Sequence, residues 1–182
     1  MKKIVLLFTV IAFIACNENK NEPKVESMTT KNDSAMKNVS YPYEMQYSSQ
    51  FEMGDPKHSQ TVLNIWKAWD NGDLSSVKQL FADSVEIHTA DGYKISGSRD
   101  SVLKSSQDYR SSYKSVSSMV EAVISTRSTD KNEDWVCVWG KEIHTDSKNV
   151  TDSVYLQETL RINKEGKIDF MMQYARSPRS PQ

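Results

Sequence analysis

The sequence predicts an α+β domain, a cone of three helices packed on one strongly curved sheet, antiparallel or mixed. Three observations predict it. Residues 56–81 repeat apolar positions at helical spacing and carry two tryptophans, Trp66 and Trp69. The stretch 80–97 packs a helix end, a short strand, the Asp91-Gly92 turn, a second short segment and a Gly97-Ser98 helix start into eighteen residues. Four alternating, strand-like runs then follow without another helical pattern. Helices closing over a bent sheet leave an apolar throat.

The first helix starts at Asp55-Pro56, with aspartate as cap and proline at the first helical position. Val62, Ile65, Trp66 and Trp69 then fall on one face, and Asn71-Gly72 ends the helix. Asp73 caps a second helix through Leu74, Val77, Leu80 and Phe81. Residues 85–89 alternate as a strand, and a third helix runs from Ser98 to about Tyr113. The strands that follow alternate at Val116, Ser118, Val120, Ala122 and Ile124, then at Val136 and Val138 on to His144. The last two alternate at Val154, Leu156, Glu158, Leu160 and Ile162, and at Ile168, Phe170, Met172 and Tyr174 after the turn at residues 164–167.

The chain ahead of this domain divides into three parts. Lys2 and Lys3 followed by the apolar run 4–15 read as an export signal, too short to span a bilayer comfortably. The run ends at Phe13-Ile14-Ala15-Cys16, which resembles a bacterial lipoprotein cleavage box. Residues 1–15 are therefore expected to be a lipoprotein signal peptide and Cys16 the lipidated residue, which places the protein in the bacterial cell envelope, with the outer membrane favoured. Residues 16–40 are polar and lack aromatics, the composition of a flexible tether. Residues 41–55 carry Tyr41, Tyr43 and Tyr47 and read as an aromatic arm. The domain proper is expected over residues 56–176, with 177–182 as a tail.

Composition narrows the function. The net charge is −1, acidic and basic residues are interspersed, and no lysine/arginine block advertises a nucleic-acid surface. Of the two cysteines, Cys16 is assigned to the lipid and Cys137 reads as a small buried hydrophobe. Dinucleotide, phosphate-loop, nucleophile-elbow and Cys-x-x-Cys motifs are absent, and no cofactor is expected. No His-x-His or His-x-x-x-His spacing occurs, so no metal is expected either.

The informative residue is Glu158. Alternation puts its carboxyl group on the same strand face as Val154, Leu156, Leu160 and Ile162, where an ionised carboxylate is costly and must find a partner or a proton. His88, at a strand end before a turn, is the candidate base, although alternation leaves open which face of its strand looks inward. His144 shares the even face of its strand with Glu142. Trp66, Trp69 and Tyr174 are candidate walls of a ligand pocket, with His144 beside them.

Residues 66–73, the run Leu80-Phe81-Ala82-Asp83, the Asp91-Gly92 turn, Ser96-Gly97 and the turn 163–168 together resemble the SnoaL-like branch of the nuclear-transport-factor-2-like superfamily. The resemblance implies a cone that is often a homodimer packed through its sheet, with a pocket that serves catalysis in some members and binding alone in others. It also allows a position-by-position comparison with ketosteroid isomerase. Of that enzyme's residues, the protonated oxyanion-hole acid falls on Glu158. The general base falls on His88 or Thr89, depending on the anchor used for the count. The tyrosine donor falls on Ile65, which has no hydrogen to donate.

Three functions are consistent with this reading. The first is a membrane-anchored module that binds a small, largely apolar molecule in the cone, with Glu158 and His88 as candidates to orient it. The second is a cofactor-independent isomerase, hydratase or cyclase using His88 and Glu158, which requires both side chains to face one cavity. The third is a partner-binding domain with a filled throat and an exposed sheet face at Tyr155, Gln157, Thr159 and Arg161.

Overall fold

The structure, a computed structural model, describes residues 40–178. The expected signal peptide (residues 1–15), Cys16 as the expected lipidation site, the expected tether up to residue 39 and the last four residues of the tail lie outside the described residues. Among the described residues no helix is long and apolar enough to cross a membrane.

A short strand β1 (Phe51–Met53) is followed by α1 (Pro56–Asn71), a 3₁₀ helix (Leu74–Leu80), β2 (Phe81–His88), β3 (Lys94–Ser98) and α2 (Arg99–Arg110). Four longer strands complete the domain: β4 (Tyr113–Ser128), β5 (Glu133–Asp146), β6 (Thr151–Ile162) and β7 (Ile168–Arg176). The seven strands form one sheet in the order β1-β4-β5-β6-β7-β2-β3. It is mixed, because β2 lies parallel to β7 while every other pair is antiparallel.

Local chemistry sets most of the boundaries. The Asp55 side chain accepts from the Lys57 amide at 2.9 Å, and Pro56 opens the helix. Gly72 ends α1 at φ 73°, a left-handed conformation that glycine adopts without strain. The second predicted helix differs from expectation. Its apolar spacing is served by a 3₁₀ helix that stops at Leu80, and Phe81 begins a strand that pairs with Ile168.

α1 and the 3₁₀ helix pack Val62, Trp66, Leu74 and Val77 against an inner sheet face built from Val136, Val138, Leu160 and Ile168. Trp66 can lie this close to the sheet because residue 140 is glycine. A Cβ there would come within 2.7 Å of the Trp66 ring and 2.6 Å of the Met119 carbonyl oxygen. The outer face carries its own smaller cluster, in which Tyr47 and Phe170 meet Trp135 with ring centroids 5.4 and 6.1 Å away. Arg161, paired with Asp169 at 2.9 Å, covers that cluster.

Two of the sheet's four register shifts decide which side chains face inward along most of β4 and β7. Register slips between Val120 and Ala122 on β4, and opposite Arg161 and Ile162 on β7, where Ile162 pairs with Ile168 but Arg161 with Phe170. Each extra residue bends its strand and exchanges the two faces beyond it. Ser118 thus faces inward while Ile124 faces outward. On β7, Ile168 faces inward, but beyond the bulge the inward residues are Met171, Gln173 and Ala175.

Candidate functional site

Between the inner sheet face and the helices lies a cavity of about 660 Å³. Its walls are mostly apolar and aromatic, among them Ile65, Trp66, Trp69, Leu156 and Met171. Two buried carboxyl groups also reach it, Glu158 from β6 and Glu142 from β5, with the exposed Asp91 on the rim. The two buried groups are 7% and 8% exposed, which is unusual for ionisable side chains.

One helix face positions both. Trp66 and Trp69 stand three residues apart on α1 and so share a face. The Trp66 indole Nε1 donates to Glu158 Oε2 at 2.7 Å, and the Trp69 Nε1 donates to Glu142 Oε2 at 2.7 Å. Gln173 Nε2, across the β6–β7 ladder from Glu158, donates to its Oε1 at 2.8 Å. Burial raises the Glu158 pKa above the ordinary carboxylate value; the Gln173 and Trp66 hydrogen bonds pull it back, and the negative charge of Glu142 adds to the rise. Among the described residues, no lysine or arginine forms an ion pair with either carboxylate.

A second string of side chains leads from Glu142 to the mouth. His144 Nδ1 lies 3.3 Å from Glu142 Oε1 but is not aligned for a hydrogen bond, so this buried nitrogen has no partner. The imidazole lies against Tyr113, tilted by 48° with ring centroids 4.6 Å apart, and the Tyr113 and Tyr109 hydroxyls share a hydrogen bond of 3.0 Å. Burial and that hydrogen bond push the Tyr113 phenol well above its ordinary pKa. Tyr109 is exposed and lies against Trp69.

The structure thus brings Glu158, Trp66, Trp69 and His144 to one cavity. Two candidates from the sequence face elsewhere. His88 is on the opposite side of β2 from Ile87, which lines the cavity. Its Nε2 pairs with Glu86 Oε1 at 2.7 Å, and its ring meets Phe170 edge-on. His88 and Glu158 therefore lie on opposite faces of the sheet and do not act on one substrate. Of the two positions that the resemblance left open for a base, Thr89 is the one on the cavity wall, with its hydroxyl engaged by Asp91 and the Tyr93 carbonyl. Tyr174 is the other correction. The bulge at the start of β7 turns it outward, where it is 55% exposed and its hydroxyl meets Met172 Sδ. Gln173 takes the inward place.

Sequence reasoning gave no role to Glu142, Gln173, Tyr109 or Tyr113. Glu142 carried the same signal as Glu158, a carboxyl group on an apolar strand face with Val136 and Val138. The others had no comparable signature.

No protein-family model matches the chain, and no curated protein matches it in sequence. Solved structures do match in fold. A protein from Shewanella denitrificans named as a SnoaL-like polyketide cyclase superposes with a TM-score of 0.56 at 11% identity, over 67% of this chain and 92% of that one. An NTF2-like protein from an Exiguobacterium species gives 0.52 at 11% identity, over 65% and 99%. This domain has the SnoaL-like, NTF2-like fold. SalBIII, an epoxide hydrolase/cyclase-like enzyme of pyran ring formation in salinomycin, matches the NTF2-like cone with a TM-score of 0.55 at 14% identity, over 66% and 91%. At these identities the likeness concerns the NTF2-like architecture, and the chemistry rests on the side chains described above.

Proposed function

We propose that the domain is a binding module that holds a small, largely apolar molecule in the cone, with the polar end of that molecule set against Glu158 and Glu142. The observation that carries this reading is the cavity itself, about 660 Å³ of mostly apolar wall with two buried carboxyl groups fixed by indole N–H groups. A throat that is open rather than filled weighs against the partner-binding alternative. The names of two proteins with this fold refer to cyclisation, which agrees with a small organic ligand.

Titrating the purified mature chain with a hydrophobic reporter dye, with displacement by lipid extract, tests the reading. Saturable binding is expected, weakened roughly tenfold by Glu158→Leu through loss of a buried hydrogen-bonding group, and unchanged by His88→Ala. Non-saturable binding, or equal affinity in Glu158→Leu, counts against it.

A second reading, a cofactor-independent isomerase, hydratase or cyclase, is favoured by one observation: His144 and Glu142 lie together in the same cavity as Glu158. In that case His144, rather than His88, removes the proton. Once a bound molecule is in hand, turnover that His144→Ala abolishes while affinity persists separates the enzyme from the binder; binding without conversion leaves only the binder.

The reading also includes a lipid on Cys16 that tethers the module to a membrane. Expressed in a bacterium, the chain is expected in the membrane fraction and Cys16→Ala in the soluble one; equal partitioning of the two removes the anchor.

A further inference from the structure

We infer that the polar end of the cavity's ligand is a cation, so that the site takes a small organic ammonium compound with an apolar body. The inference rests on the binding-module reading and adds the sign of the ligand's charge.

The first step is an imbalance. Glu142 and Glu158 occupy adjacent strands in one cavity, and each is more than nine-tenths buried. An indole N–H orients each carboxylate but brings no charge to it. The basic residues nearby are committed elsewhere. Lys94 on the rim pairs with Glu86 at 2.9 Å, and Arg110 donates to the backbone carbonyls of Trp69, Asp70 and Tyr113. The one basic side chain beside them is His144, whose Nδ1 lies 3.3 Å from Glu142 Oε1; Glu158 has none, and its burial and the neighbouring Glu142 charge both oppose its ionisation. The high proton affinity of Glu158 expresses the same imbalance. A neutral ligand leaves it in place, and an ammonium group removes it.

The second step is what remains unpartnered. Trp69 engages Oε2 of Glu142, whereas Oε1 receives no hydrogen bond among the described residues. The adjacent Nδ1 of His144 is buried and unpartnered as well. A carboxylate oxygen without a hydrogen bond therefore lines the cavity, 3.3 Å from the His144 nitrogen, and an organic cation meets it by charge alone.

The third step is the rest of the wall. Tyr109 stands edge-on to Tyr113, centroids 5.6 Å apart, and leans on Trp69, which makes an aromatic corner next to Glu142. Ring faces attract an organic cation while tolerating its methyl groups. A divalent metal fits poorly by comparison. It demands several oxygen ligands, and among the described residues no group of three or more His, Cys, Asp or Glu is placed to hold one.

The test uses the purified mature chain and three probes of similar shape: benzyltrimethylammonium, its neutral carbon isostere neopentylbenzene, and the anion benzylsulfonate, titrated calorimetrically in matched cosolvent. The cation is expected to bind at least tenfold more tightly than the isostere, and the anion not at all. Glu142→Gln, checked for native folding by circular dichroism, is expected to weaken the cation about tenfold and to leave the isostere unchanged. Equal or tighter binding of the isostere or the anion, or a cation affinity indifferent to Glu142→Gln, overturns the charge assignment and leaves the pocket reading intact. Failure of all three probes to bind saturably overturns both.

Discussion

Glu158→Gln raises the stability of the protein at neutral pH, and the gain shrinks towards zero as the pH falls to the ordinary carboxylate value of 4.5. The reason is linkage. Burial gives the folded state a higher proton affinity at Glu158 than the unfolded chain has, so the folded state binds more protons across the interval between the two values. Stability then falls as pH rises: the favourable contribution of the protonated acid is complete below the unfolded value and is lost as pH climbs through the folded one. Within that interval the slope reaches up to about 1.4 kcal/mol per pH unit. Glutamine resembles the protonated acid and does not titrate. Its oxygen accepts from the Trp66 N–H, and its amide donates to the Gln173 oxygen once that side chain turns over. The other titratable groups that face this corner, Glu142 and His144, are present in both proteins, so the difference between wild type and variant isolates Glu158. Denaturant midpoints of the two proteins from the acid range to mild alkali provide the measurement. A difference that does not vary with pH, or a variant that is weaker throughout, would mean that the carboxylate is held ionised in the fold.

That Glu158 faces apolar surroundings was legible because β6 alternates without interruption from Val154 to Ile162 and period two admits one assignment. The helix face that meets it was legible too, since Trp66 and Trp69 repeat at helical spacing after an Asp-Pro start. Bulges defeated the same logic on other strands. Nothing in Ile168-Asp169-Phe170 announces an extra residue, yet one slip turns Tyr174 away from the cavity and brings Gln173 into it. β2 failed for a different reason. Both its faces are buried in part, with Ile87 against the cavity and His88 against Phe170 on the outer cluster, so alternation alone could not choose between them. Glu142 was visible in principle. Its face-mates Val136 and Val138 mark it as they mark β5, and the even face served only to place His144.

Arg110→Met lowers stability by about 2–4 kcal/mol, a large part of what a domain of this size possesses. Arg110 is 6% exposed and forms no ion pair with a carboxylate among the described residues. Its guanidinium instead donates through Nε to the Trp69 carbonyl at 2.6 Å, through Nη2 to that of Asp70 at 2.9 Å and through Nη1 to that of Tyr113 at 3.1 Å. The first two are carbonyls at the end of α1, where the helix dipole favours a cation: that of Trp69 also accepts from the Gly72 amide at 3.0 Å, whereas that of Asp70 lies past the last amide of the helix. Gly72 follows at φ 73°, and the guanidinium packs against it, since a Cβ there would lie in ordinary contact with Nη2 at 3.5 Å. The side chain thereby joins the last turn of α1 to the end of α2 and the start of β4. Methionine keeps much of the apolar stem and removes all three donors, so the Asp70 and Tyr113 carbonyls lose a charged donor and that of Trp69 keeps only the Gly72 amide. Lysine is expected to rescue only part of the loss, since a single ammonium cannot reproduce the planar fork that serves three acceptors. Urea denaturation of wild type, Arg110→Met and Arg110→Lys reads the order directly, and a methionine variant within about 1 kcal/mol of wild type would refute it. The consequence extends to the cavity, because the carbonyl that Arg110 holds belongs to Trp69, whose indole fixes Glu142. Any methionine variant that still folds should therefore bind the ammonium probe more weakly than wild type while lacking no residue of the cavity wall.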